Sequence, residues 1–170
     1  PEASEVAAVR AQRTLVLLPG SRRAEIEANL AGMLEVAAAL RRQDPDLRVV
    51  IPHKNPRRTA LIQAILRAAR ADGVEHREGP LGPWLAGARL VLAKSGTGSL
   101  EACLHGNPTV VVYQLRGWLA SLGYRNILSV PFIAAANLIA GREVVPEHCF
   151  SGADGWDAVT ADARRLWSDE

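Results

Sequence analysis

The 170-residue chain reads as an α/β protein, a parallel sheet flanked by helices. Short apolar runs alternate with helical stretches along most of its length. Those runs are continuously apolar rather than alternating, as in strands covered on both faces. With helices between them they form βαβ units, hence a Rossmann-like parallel sheet with right-handed crossovers.

Taken in order, Thr14–Leu18 is an apolar strand. Glu25–Arg42 is a strong helix, with Ile26, Leu30, Met33, Leu34, Ala37 and Leu40 near one face. Leu47–Pro52 is a second strand, and Pro56–Ala71 a second helix whose proline suits its first turn. Val74–His76 is a short strand, and Leu81–Ala88 a brief helix broken by Gly and Pro. Leu90–Ala93 is a fourth strand, Ser99–His105 a helix, and Thr109–Tyr113 a fifth strand. Beyond Tyr113 the pattern weakens. Gly117–Leu128 has helical character, residues 129–150 read as mostly loop, and Gly155–Trp167 as a last helix.

This divides the chain into a linker at 1–13, one domain over 14–150 and a C-terminal helix within 151–170. The chain opens at Pro1 and carries its one methionine at Met33, so a preceding segment is expected. A net charge of +2 is too small to imply nucleic acid. Lys54 and Lys94 are the two lysines among twenty basic residues, a bias that codon usage explains as well as ligand binding does. Cys103 and Cys149 lack metal-ligand spacing, so a reducing cytosolic setting and no metal are expected. No apolar run reaches the ~18 residues that span a bilayer.

Open α/β sheets bind ligands beyond the carboxyl ends of their strands, where strand order reverses. With order 3-2-1-4-5, the crevice lies between the loops after strands one and four. Those loops are the two richest in unusual residues: Pro19-Gly20-Ser21-Arg22, and Lys94-Ser95-Gly96-Thr97-Gly98-Ser99-Leu100-Glu101. In the second, Gly96 and Gly98 allow close backbone approach, and helix amides favour a phosphate. Ser95, Thr97 and Ser99 add hydroxyls. The same residues also describe a glycine turn with a hydroxyl N-cap. Glu101 either complements the helix dipole or accepts both hydroxyls of a ribose.

In the first loop, Arg22 and Arg23 stand at the mouth of a helix, where cations are unfavourable unless an anion arrives. Arg22 is assigned to that anion, and Arg23 to a surface pair. There is neither the Gly-Lys-Ser/Thr of a P-loop nor a Gly-x-Ser-x-Gly elbow. In Ala136–Glu147, Asn137 suits a loop-holding role and Arg142–Glu143 a solvated pair. The four tryptophans suit packing. Trp118 is the exception, forming an apolar surface with Leu115, Leu119 and Leu122.

The segments LLPGSRRAEI, KSGTGSLEACLHGNPTVVVYQL and NLIAGREVVPE, in that order, resemble the lipid-A-disaccharide synthase family, inverting GT-B glycosyltransferases. The resemblance covers roughly Thr14 to Glu147 and matches the family's C-terminal, nucleotide-sugar-binding half. It implies transfer of a diacylglucosamine from UDP-2,3-diacylglucosamine to 2,3-diacylglucosamine 1-phosphate, releasing UDP without metal or cofactor. It implies donor-site roles for Gly20, Ser21, Arg22, Ser95, Gly96, Thr97, Gly98, Ser99 and Glu101, with Glu101 on the ribose. It also implies active-site importance for Arg22 and Asn137. The N-terminal half, with the acceptor site and the general base, is not in this chain, so no turnover is expected from it alone. Peripheral contact with the inner face of the inner membrane and a homodimer are further expectations. Departures are Ala135-Ala136, where the family commonly reads Leu-Pro, and a poor fit over 150–170. The alternatives are another UDP-sugar-dependent GT-B transferase or epimerase, or a non-catalytic nucleotide-binding module.

Overall fold

The computed structural model describes residues 13–115 and 130–169. Its elements are β1 (Thr14–Leu18), α1 (Arg23–Arg41), β2 (Arg48–His53), α2 (Thr59–Ala68), β3 (Val74–Glu78) and α3 (Gly82–Leu85). There follow β4 (Leu90–Lys94), α4 (Thr97–Leu104), β5 (Thr109–Leu115), α5 (Ala135–Ala140), β6 (Glu147–Ser151) and α6 (Gly155–Ser168). A single 3-10 turn, Pro56–Arg58, leads into α2.

All strand pairings are parallel, in the order β3-β2-β1-β4-β5-β6. The expected 3-2-1-4-5 order is therefore present, extended by one strand. The region 129–150, expected to be mostly loop, also holds α5 and the start of β6, which pairs with β5 at Val111↔Glu147. Sequence alone misses this strand because EHCFS is half-buried and polar at an edge, without the apolar run that marks the central strands. The linker expected at 1–13, save Arg13, and the helix expected at Gly117–Leu128, with Trp118, lie outside the described residues.

Strands β1, β2 and β4 are buried almost throughout and β5 over Thr109–Val112, which is why they read as unbroken apolar runs. The larger core lies on the face covered by α1, α2 and α6, with Leu15, Leu17, Ile26, Leu30, Met33, Ile51, Leu92 and Trp156. The opposite face holds Val16, Leu18, Leu85, Val91, Ala93 and Ala102 under α3 and α4. The joint between α1 and α6 requires a glycine: a Cβ on Gly32 would stand 2.0 Å from Trp156 Cε2. Trp156 and Trp167 are thus packing residues. Trp84 packs on the second cluster, with the Arg48 guanidinium 5.2 Å above its ring. Arg41 closes the lower end of α1, donating to the carbonyls of Leu47, Asp72 and Gly73 at 3.3, 2.8 and 2.7 Å.

Candidate functional site

The two loops singled out by sequence face each other. β1 and β4 are neighbours with register Val16↔Val91, and α1 and α4 leave their carboxyl ends toward opposite faces. Between them opens a cleft of about 390 Å³, within the range of small-molecule sites. Its lining includes Gly20, Ser21, Arg22, Ser95, Gly96, Thr97, Gly98 and Glu101, all of them expected from sequence. It also includes Glu25, His53, Lys54 and Lys94.

The first loop is tied from both sides. Gly20 has φ +114°, and a Cβ on it would come within 2.5 Å of Glu25 Cβ, so both conformation and space demand glycine. His53, 6% exposed at the end of β2, accepts from the Asn55 amide at Nδ1 (3.1 Å). That leaves the proton on Nε2, which donates to the Gly20 carbonyl at 3.2 Å. Asn29, buried on α1, donates to the carbonyls of Pro19 (3.3 Å) and Glu25 (2.7 Å). Sequence reasoning passed over both residues. The available signal for Asn29 was a polar residue inside the apolar stripe of a helix; for His53 there was none.

With the carbonyls of the loop held, its amides point at an anion, and that anion is Glu25. Glu25 Oε2 accepts from the amides of Ser21 (2.9 Å) and Arg22 (3.1 Å). Its Oε1 lies 3.3 Å from both Arg22 Nη1 and Lys94 Nζ. Burial pushes the Glu25 carboxyl up, but the Arg22 and Ser21 amides and then the Lys94 ammonium outweigh it, so its pKa falls below the usual carboxylate value. Arg22 is the helix N-cap, and its side chain is 83% exposed over the cleft. Arg23 instead pairs with Glu27 at 2.8 Å, the surface role expected for it.

In the second loop Ser99 is buried and spans its own turn. Its hydroxyl donates to the Gly96 carbonyl (2.7 Å) and accepts from the Gly96 amide (3.2 Å). Ser99 therefore acts as a turn-closing residue rather than as a free donor. Ser95 Oγ donates to the Ile133 carbonyl at 2.8 Å, tying the loop to the segment before α5. Gly96 is extended (φ 162°), a conformation any residue adopts. Glu101 lies 3.9 Å from Lys54, on the cleft wall.

Asn137 stands apart from this lining. It is fully buried, and its amide is saturated. Nδ2 donates to Val145 O (2.9 Å) and Glu147 Oε2 (3.0 Å), and Oδ1 accepts from the amides of Val144 (2.8 Å) and Val145 (3.0 Å). Glu147 also accepts from the amides of Ile133 (2.9 Å) and Ala134 (2.7 Å). Asn137 thus reaches the cleft indirectly, through Glu147, Ile133 and Ser95. This matches the loop-holding role read from the residue itself. Gly141 caps α5 in the left-handed conformation, and Arg142 and Glu143 are exposed.

Solved structures of low sequence identity place the fold. The chain superposes on the ADP-heptose lipopolysaccharide heptosyltransferase II of E. coli with a TM-score of 0.62 at 10% identity, over 98% of this chain and 52% of that one. It superposes on the C-terminal CMP-Kdo binding domain of WaaA from Acinetobacter baumannii with a TM-score of 0.53 at 14% identity, over 98% and 97%. The fold is an α/β Rossmann-like domain of the GT-B glycosyltransferase type. Within that class the chain belongs to the lipid-A-disaccharide synthetase family, whose model matches residues 2–161. It is 39% identical over 137 residues to the lipid-A-disaccharide synthase of Erwinia tasmaniensis, covering 78% of this chain and 35% of that protein. It is 35% identical over 159 residues to that of Anaeromyxobacter dehalogenans, covering 94% and 41%. The chain thus spans about two-fifths or less of these relatives' length. Among the described residues no helix is long and apolar enough to cross a membrane.

Proposed function

We propose that this chain is the donor-binding half of a lipid-A-disaccharide synthase. The donor is UDP-2,3-diacylglucosamine, the acceptor 2,3-diacylglucosamine 1-phosphate, and the released product UDP. The observation that carries the reading is the cleft at the β1/β4 switch point, lined by the Pro-Gly-Ser-Arg and Ser-Gly-Thr…Glu segments of a family member. Relatives bearing the synthase name, at 33–39% identity, support the reaction.

Charge builds on the nucleoside diphosphate as the glycosidic bond breaks. Arg22 overhangs the cleft, where its guanidinium stabilises that charge on the leaving phosphates. Glu101 orients the nucleotide by accepting ribose hydroxyls, with Lys54 3.9 Å away as its neighbouring cation. Asn137 is a positioning residue, acting through Glu147 and Ser95 on the second loop. The general base that deprotonates the acceptor hydroxyl, and the acceptor site, come from a domain outside this chain. Closure of that domain over the cleft excludes water and protects the donor from hydrolysis. The chain alone binds the donor nucleotide without turning it over, and the lipid substrates bring the whole enzyme to the inner face of the inner membrane.

Calorimetric titration of the chain with UDP, ADP and GDP tests the reading. Selective binding of UDP, even at millimolar affinity, is expected. Equal weak binding of all three nucleotides would overturn it.

A further inference from the structure

Arg22, Lys54 and Lys94 are the cations of the described cleft lining, and they differ in how far water screens them. Their side chains are 83%, 61% and 21% exposed, so the Lys94 ammonium is the one whose attraction to an anion is least weakened by solvent. Lys94 ends β4 and opens the second loop, and its Nζ stands 5.4 Å from the Tyr113 ring centroid. That ring, on the neighbouring strand β5, lies within cation–π range of the ammonium.

Its present partner is Glu25, at 3.3 Å. Glu25 keeps its two backbone donors, the Ser21 and Arg22 amides on Oε2, when Lys94 turns away, and gives up only the Lys94 share of its stabilisation. Lys94 can therefore change partner without leaving a buried charge bare. The Lys94 ammonium faces the second loop: a Cβ built on Gly96 would stand 4.0 Å from it, and both residues line the cleft. The lining also counts three cations to two carboxylates, leaving positive charge for an anion.

We propose that Lys94 is a diphosphate-binding residue of this cleft. Glu25 and Tyr113 hold its ammonium ready until a phosphate of the nucleotide takes it over. The proposal rests on the nucleotide-sugar reading above and adds to it a residue that neither loop motif required.

The test is calorimetric titration of the wild-type, Lys94→Met and Lys94→Arg chains with UDP and with uridine, each variant first melted to confirm cooperative folding. Lys94→Met lowers UDP affinity about 10- to 100-fold, the span of a charge-assisted hydrogen bond, and changes uridine affinity by less than ~2-fold. Lys94→Arg, which keeps the charge, restores UDP affinity to within a few-fold. In phosphorus NMR the β-phosphate resonance of bound UDP shifts between wild type and Lys94→Met. Unchanged UDP affinity in Lys94→Met, or equal losses for the Met and Arg variants, overturns the role of Lys94 and leaves the nucleotide reading standing. A wild-type chain that binds no UDP overturns both.

Discussion

Arg22 and Arg23 are neighbours with different surroundings. Arg23 spans one helical turn to Glu27, an exposed pair of the kind that contributes ~0–1 kcal/mol. Arg22 sits at the N-cap with its guanidinium over a cleft, where a bond to phosphate contributes about 1.5–3 kcal/mol. Arg22→Ala is therefore expected to weaken UDP binding at least ~10-fold and Arg23→Ala less than ~2-fold, read by titration. Equal losses would remove Arg22 from the phosphates. Asn137 presents the reverse situation, being within the family motif yet engaged entirely with protein atoms. Asn137→Ala strands the Val144 and Val145 amides and loosens Glu147. The expected cost is about 2–4 kcal/mol in urea unfolding, with UDP affinity falling through the displaced second loop. Full stability with lost affinity would instead place the side chain on the ligand.

At the scale of elements, the site depends on how loops are pinned to strand ends. The β1–α1 loop is legible as a glycine turn, but its rigidity comes from β2 and α1, through His53 and Asn29. Beside the β2–β3 ladder, Arg48 Nε and Nη2 donate to the Glu75 carboxylate at 2.6 and 2.9 Å, with Arg77 next to it. The Arg48 bond, against the opposing effect of burial and with help from Arg77, draws the Glu75 pKa down from 4.5 to about 2. Because the folded-state value is the depressed one, the stabilisation is present above the unfolded pKa. It is lost as pH falls from about 4.5 toward 2. Acid titration of stability across that window should show ~2 kcal/mol less loss in Glu75→Gln than in wild type. Identical acid profiles would mean the edge pair contributes no folding energy.

Across the whole molecule, the parallel architecture, the five central and early strands and the facing of the two loops were legible because they follow from apolar runs and from handedness. The sixth strand was not, since its residues are polar at an edge and its place depends on Glu147 meeting Ile133, Ala134 and Asn137. Lys94 was visible as a letter beside a glycine loop. Its partial burial against Tyr113 and its pairing with Glu25, residues distant from it in sequence, were not. By itself, then, the sequence determined the fold class, the switch-point cleft and the family, because periodicity and local motifs are properties of neighbouring residues. Only the tertiary structure decided how the polar groups are shared out. Glu25 occupies the first loop's amides and pairs with Lys94, Ser99 closes its own turn, and Asn137 braces from behind. A buried donor or acceptor takes whichever partner the packing brings within about 3 Å, and that choice is made between elements far apart along the chain.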